Sequence, residues 1–136
     1  RMTAARHDER DARRRAMEML EHFGVADLAG ADARSLPFGR QRIVEIARAL
    51  VGEPRLLLLD EPACGLNIRE TERLGDLVLG IRSRGVTVVI VEHDMSLVMG
   101  ISDEVVVLDR GALIAEGPPH AVQADPRVIA IYLGDA

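Results

Sequence analysis

The sequence contains no lysine: all 17 basic residues among its 136 are arginine. A phosphate-cradling loop of the form GxxxxGK[ST] is therefore absent from these residues, because its lysine carries the charge that reaches the β- and γ-phosphates. Aromatics are almost missing too. Phe23, Phe38 and Tyr132 are the only three, which leaves few platforms for base stacking. The single cysteine, Cys64, excludes an internal disulfide and fits a reducing compartment. His7, His22, His93 and His120 show no ligand spacing with one another or with Cys64, which argues against a structural zinc site. The longest apolar runs, Leu56–Leu59 and Val86–Val91, fall far short of the roughly 20 residues that cross a bilayer. The opening segment RMTAARHDERDARRRA has no apolar core region, so export through a signal peptide is not expected. Net charge is −5, and the one dense basic run, Arg13–Arg15, follows Asp8, Glu9 and Asp11. That run reads as a solvated helix face, and no nucleic-acid partner is expected without a basic face.

What is present is the composition of a soluble globular protein, 48% hydrophobic and 29% charged, in one domain or a piece of a larger one. The chain is organised around Leu56–Asn67, LLLLDEPACGLN. Four leucines between Pro54 and Pro62 read as a strand buried on both faces in a parallel sheet. Ligands of such sheets bind at the carboxyl ends of the strands. Asp60 and Glu61 stand at that end. They form either the metal-and-base edge of a nucleotide site or a solvated acidic turn after a core strand.

Before this stretch, Ala16, Leu20 and Phe23 at helical spacing predict an amphipathic helix from about Asp11 to Phe23, stopped by Gly24. Val25–Arg34, interrupted by Gly30, predicts a weak helix or an irregular link. Ser35–Gly39 forms a loop, and Ile43, Ile46, Ala47 and Leu50 mark a helix from about Arg40 to Val51. After it, Asn67 is a good N-cap for a helix from about Arg69 to Ser83. Val86–Val91 is then a β-branched strand that completes a βαβ unit, for which a right-handed crossover is expected. It ends in Glu92, His93 and Asp94, so in a parallel register His93 would project from the same edge as Asp60 and Glu61. Met95–Gly100 predicts a short helix and Glu104–Asp109 a third buried strand. Arg110-Gly111 turns into Ala112–Glu116 as a hairpin. Pro118 and Pro119 start a short helix to about Gln123, and Pro126 opens a last one to about Leu133.

The order LPFGRQRIVEIARAL, LLLLDEP, CGLN and VEHD, at these separations, resembles the C-terminal half of an ATP-binding-cassette (ABC) ATPase, from about Arg10 to the C-terminus. The closing segment GALIAEGPPHAVQADPRVIAIYLGDA resembles the subfamily that energises branched-chain amino-acid importers. The resemblance implies an α/β fold, a partial RecA-like P-loop NTPase core: a mostly parallel sheet with helices and a C-terminal β-hairpin. Residues 1–38 would be the remnant of the helical subdomain leading into the signature loop, and residues 39–136 the C-terminal part of the ATPase core. Leu56–Asp60 becomes the Walker B strand, Asp60 helps to hold Mg²⁺, and Glu61 is the base that orients the attacking water. Such chemistry asks for positioning and charge neutralisation more than for covalent steps. His93 resembles the switch histidine that contacts the γ-phosphate. Leu36, Pro37, Phe38, Gly39, Arg40 and Gln41 correspond to the signature loop, which closes over the ATP of the partner subunit. Cys64, Gly65, Leu66 and Asn67 resemble the D-loop at the dimer axis.

Departures from the common LSGGQ form of the signature loop are Pro37 for serine, which removes a hydroxyl and an N–H donor, and Arg40 for glutamine. Arg40 either adds a positive charge near phosphate or points into solvent. In the D-loop, Asn67 stands where aspartate is common, keeping the hydrogen-bonding shape without the charge. The family's phosphate loop, adenine-stacking aromatic and Q-loop lie upstream of the signature loop, so the chain resembles a piece of a protein of roughly 250 residues. Alone it is expected to hydrolyse no ATP and to leave apolar sheet surface bare. The implied cofactors are ATP and Mg²⁺. The implied partners are a second ATPase subunit, identical or not, transmembrane permease subunits and, indirectly, a substrate-binding protein, at the cytoplasmic face of the cell membrane. Two other readings compete: a non-catalytic dimerisation or regulatory module, and a soluble ABC ATPase not coupled to transport.

Overall fold

A computed structural model describes residues 2–132, with side chains from Glu9 onward. His7 and the expected helix end at Leu133 lie outside the described side chains and residues respectively. The chain divides into two compact units, one through Val91 and the other from Glu92.

The first unit opens with helix α1 (Met2–His22), nine residues earlier than the apolar spacing suggests. Its end is set by Gly24, whose φ of 66° lies in the left-handed region. There the Gly24 N–H donates to the Glu21 carbonyl at 3.0 Å and the Val25 N–H to Leu20 at 2.9 Å. This paired closure satisfies carbonyls that the helix end would orphan, and it drops Val25 into the core. The irregular link then consists of two short 3₁₀ turns, Ala26–Leu28 and Ala33–Ser35. Helix α2 (Phe38–Leu50) buries Ile46, Ala47 and Leu50.

Strands β1 (Leu56–Asp60) and β2 (Thr87–Val91) pair in parallel, Leu56 with Thr87 through Asp60 with Val91. Between them runs α3 (Ile68–Ser83), which lies against β2 and buries Leu74, Val78 and Ile81. Each such side chain contributes about 1.5–3 kcal/mol on burial. Asn67 caps this helix as expected: its side chain accepts the Glu70 N–H at 3.1 Å, and the Glu70 carboxylate accepts the Asn67 N–H at 3.0 Å. This reciprocal arrangement is a capping box.

One expectation is corrected. Strand β1 is covered on one face only: Leu57 is 5% exposed, whereas Leu56 and Leu58 are 51% and 68% exposed. Across the register Thr87, Val89 and Val91 are exposed as well. Alternation along a strand sends successive side chains to opposite faces, and no described residue covers the second face of this two-stranded sheet.

The second unit holds α4 (Met95–Ile101), the antiparallel hairpin β3 (Val105–Asp109) and β4 (Ala112–Gly117), α5 (Pro119–Gln123) and α6 (Pro126–Tyr132). Arg110 and Gly111, both with positive φ, make the two-residue turn. The register slips between Val107 and Leu108, a β-bulge on the β4 side. Val105, Val107, Ala115, Val122 and Val128 form the core, with Met95, Val98, Met99 and Ile114 against it. The expected third buried strand is buried on one face here too, since Val106 and Leu108 are exposed. Its partner is β4, in a sheet separate from β1 and β2.

Candidate functional site

Asp60 is the last residue of β1, exposed and in register with Val91. Glu61 follows it, and its N–H donates to the Val91 carbonyl at 2.8 Å, extending the ladder by one bond beyond the strand. The Glu61 backbone has a φ of 43°, in the left-handed region that residues with a Cβ avoid. Strain of this kind persists where the surroundings overdetermine it and concentrates at functional sites. Here the ladder bond holds one side of the residue, and the turn holds the other, with the Cys64 N–H on the Glu61 carbonyl at 3.1 Å. Pro62 is buried between them.

The rest of the turn is compact. The Leu66 N–H donates to Ala63 at 3.0 Å, Gly65 takes a φ of 78°, and Asn67 starts α3. Cys64 is a free, exposed thiol.

The loop before α2 is held from several directions. Asp32 caps the preceding 3₁₀ turn through the Arg34 N–H at 3.0 Å. Gln41 reaches back so that its Nε2 donates to the Leu36 carbonyl at 2.8 Å. Pro37 occupies the N-cap with no side-chain hydrogen bond, and its carbonyl accepts the N–H groups of Arg40 at 2.9 Å and Gln41 at 3.0 Å. The loss of the serine hydroxyl is thus a loss of side-chain capping. The Arg40 side chain is half-exposed and ion-paired. Its Nη1 lies 3.1 Å from Asp27 Oδ2, an ion pair reaching back to the first 3₁₀ turn.

This loop and the turn after β1 meet. The Phe38 ring lies against Gly65, and the Glu70 carboxylate lies against Gly39. The Arg42 guanidinium sits 5.2 Å from the Phe38 ring centroid, close enough for cation–π attraction. Arg42 also pairs with Glu45 at 2.8 Å, while its buried Nε has no hydrogen-bond partner. Pro37, Gly39, Arg40, Arg42, Glu70 and Arg73 contribute to a cleft of about 630 Å³ beside these contacts. Neither Glu70 nor Asp27 was marked by the sequence as belonging to the site. The Asn-x-x-Glu spacing announces the helix cap, but nothing in it announces the approach to Gly39.

His93 belongs to the second unit. Its side chain is 71% exposed, against 1% for Glu92, with Nδ1 3.9 Å from Glu92 Oε2. The His93 N–H donates to the same carboxylate oxygen at 3.2 Å. Asp94 then caps α4 through the Leu97 N–H at 3.1 Å.

Chemically, two adjacent carboxylates at the carboxyl end of a parallel strand offer hard oxygen ligands and a proton acceptor. No group of three or more His, Cys, Asp or Glu side chains among the described residues forms a metal cage. Two adjacent carboxylates are the kind of donor set taken by a cation that uses only one or two protein carboxylates and completes its shell from substrate and water, as Mg²⁺ does.

Residues 1–64 match the ABC transporter family, and residues 112–136 match the branched-chain amino acid ATP-binding cassette transporter family. Over 134 residues the chain is 46% identical to the high-affinity branched-chain amino acid transport ATP-binding protein BraF of Pseudomonas aeruginosa, covering 98% of this chain and 52% of that protein. Over 132 residues it is 43% identical to the corresponding protein LivG of Escherichia coli, covering 96% and 52%. The chain thus spans about half the length of these curated relatives. Among solved structures, the ADP conformation of an ATP-binding cassette of an ABC transporter superposes with a TM-score of 0.83 at 31% identity, over 92% of this chain and 51% of that one.

Proposed function

The chain belongs to the ABC transporter ATP-binding family, and from that premise we propose that in the complete protein it forms part of the ATPase subunit of a branched-chain amino-acid importer. The observation that carries this reading is the pair Asp60 and Glu61 at the carboxyl end of a parallel strand, with Glu61 held in a left-handed backbone by the Val91 carbonyl. The likeness to BraF and LivG supports the choice of solute.

In this reading residues 1–38 come from the helical subdomain and residues 39–136 from the ATPase core. Asp60 helps to hold Mg²⁺, which when bound neutralises charge on the phosphates. Glu61 accepts a hydrogen bond from the attacking water and orients it; its fixed backbone removes one freedom that would have to be frozen during reaction. His93, exposed at the start of the second unit, donates to the γ-phosphate. Leu36–Gln41 closes over the ATP of a second ATPase subunit, where the N-terminal N–H groups of α2 and its positive dipole end favour an anion. Cys64–Asn67 lies at the dimer axis. No helix among the described residues is long and apolar enough to cross a membrane; in this reading the subunit docks on transmembrane permease subunits at the inner face of the cell membrane.

The test is Glu61→Gln in the full-length protein. The variant keeps the shape and loses the base, so ATP still binds while hydrolysis and solute uptake fall by at least about 100-fold, the lower end of the range for a general base. Undiminished turnover in this variant removes Glu61 from the mechanism. The uncapped Pro37 and the Asp27-bound Arg40 favour a second reading, a dimerisation module without turnover; a wild-type protein that binds but never hydrolyses ATP decides for it. The lysine-free 136-residue chain by itself turns over no ATP, and Glu61-dependent hydrolysis by that chain refutes this.

A further inference from the structure

We propose that Glu70 is a positioning residue that ties the D-loop to the signature loop of the same chain, through a reciprocal interlock of Phe38 on Gly65 and Glu70 on Gly39. The inference rests on the reading of these two segments given above and adds to it a route between them.

Each half of the interlock sets a side chain of one loop against a glycine of the other segment. A Cβ on Gly65 would lie 3.1 Å from Phe38 Cε1, and a Cβ on Gly39 would lie 2.6 Å from Glu70 Oε1 and 3.0 Å from its Cδ. The first contact is tight, and the second is closer than atoms tolerate. A carboxylate at the end of a flexible side chain can usually swing aside. Glu70 is not free to do so, because its Oε2 accepts the Asn67 N–H at 3.0 Å while its own N–H donates to Asn67 Oδ1 at 3.1 Å. A shift of Gly39 therefore reaches Asn67, and a shift of the D-loop reaches Gly39. The Phe38 ring is also held by the Arg42 guanidinium over it, itself paired with Glu45.

The D-loop end of this arrangement abuts the proposed base, since the Cys64 N–H donates to the Glu61 carbonyl. When the signature loop takes up the phosphates of the partner's ATP, the displacement passes from Gly39 through Glu70 and Asn67 into the turn that holds Glu61. Each chain's base thereby registers whether the opposite nucleotide is in place.

The experiment uses the full-length protein with Glu70→Ala, Glu70→Gln, Gly39→Ala and the double variant Gly39→Ala/Glu70→Ala. In the nucleotide-free state, amide hydrogen exchange over Phe38–Gln41 is expected to quicken in Glu70→Ala and to stay near wild type in Glu70→Gln, which keeps the acceptor and the bulk. At saturating ATP, kcat is expected to fall about 10–100-fold in Glu70→Ala, the cost of a misplaced catalytic group, while the Kd of the separated subunit for ATP is unchanged. In the nucleotide-free exchange measurement, Gly39→Ala is expected to quicken exchange over Phe38–Gln41 and the double variant to match Glu70→Ala alone, because the clash and its relief share one contact. Faster exchange in the double variant than in Glu70→Ala, or wild-type exchange and kcat in Glu70→Ala, overturn the interlock. Should wild type and Glu61→Gln both lack turnover, it is the ATPase reading that fails, and the exchange comparison still judges the interlock.

Discussion

Replacing Glu61 by alanine and by glycine should invert the usual order of stability. In strand or helix interiors glycine costs about 0.5–1 kcal/mol relative to alanine, because its unfolded chain has more freedom to lose. At position 61 the φ of 43° places any Cβ against the neighbouring carbonyl, a penalty of about 1–2 kcal/mol for an L-residue. Both variants lack the carboxylate, so whatever the Glu61 side chain contacts cancels from the comparison. Both keep the backbone bond to Val91. The difference that remains favours glycine by about 1 kcal/mol, roughly fivefold in the ratio of folded to unfolded protein. Urea denaturation with a slope of about 1–3 kcal/mol/M converts this into a midpoint higher by about 0.3–1 M for Glu61→Gly. An equal or higher midpoint for Glu61→Ala refutes a left-handed residue at this position. Neither variant should hydrolyse ATP, so the more stable protein is no more active.

The two faces of β1 yield a second contrast: in this chain Leu57→Ala should cost about 2–5 kcal/mol by opening a cavity, and Leu58→Ala, at 68% exposure, less than about 0.5 kcal/mol, as read by paired urea melts. Asp125 has its carboxyl lowered from 3.8 to about 2, chiefly by the hydrogen bond from the Arg127 side chain and then by the Arg127 N–H. A depressed folded-state value means the contribution is present above pH 3.8 and fades as the pH drops through about 2. NMR titration should show this midpoint for Asp125 and its return to the ordinary carboxylate range in Arg127→Ala. The exposed Cys64 thiol should alkylate readily in the nucleotide-free full-length protein and slow at least severalfold when ATP closes the dimer; equal rates would place Cys64 away from the dimer axis.

Much of this arrangement is legible in residue order because it depends on local rules. The Asn67 cap, the Gly24 stop, the Arg110-Gly111 turn and the parallel pairing of β1 with β2 follow from spacing and turn chemistry, and they stand within one or two residues of expectation. Helix α1 begins earlier than its apolar stripe because helices also extend through solvated turns. The Leu56–Leu59 run led to a strand covered on both sides; a run of leucines shows that a strand can be buried, not what covers it. Contacts such as Arg40 with Asp27 and Glu70 with Gly39 join residues 13 and 31 positions apart, beyond the reach of any periodicity. The Glu61 carboxylate is legible in the sequence, whereas its left-handed backbone is set by the bonds to Val91 and Cys64.

The alternating exposure of β1 acts as a reading frame for the residues that follow it. Asp60 shares its side of the sheet with Leu58 and Leu56, and Leu59 and Leu57 share the other. A single-residue insertion within the strand would turn Asp60 toward the helix-covered side and bring its neighbour round in its place, leaving composition and motif spelling almost untouched. Insertions of two would restore the frame. The spelling DEP is thus meaningful only in phase, and its phase is kept by the leucines that precede it.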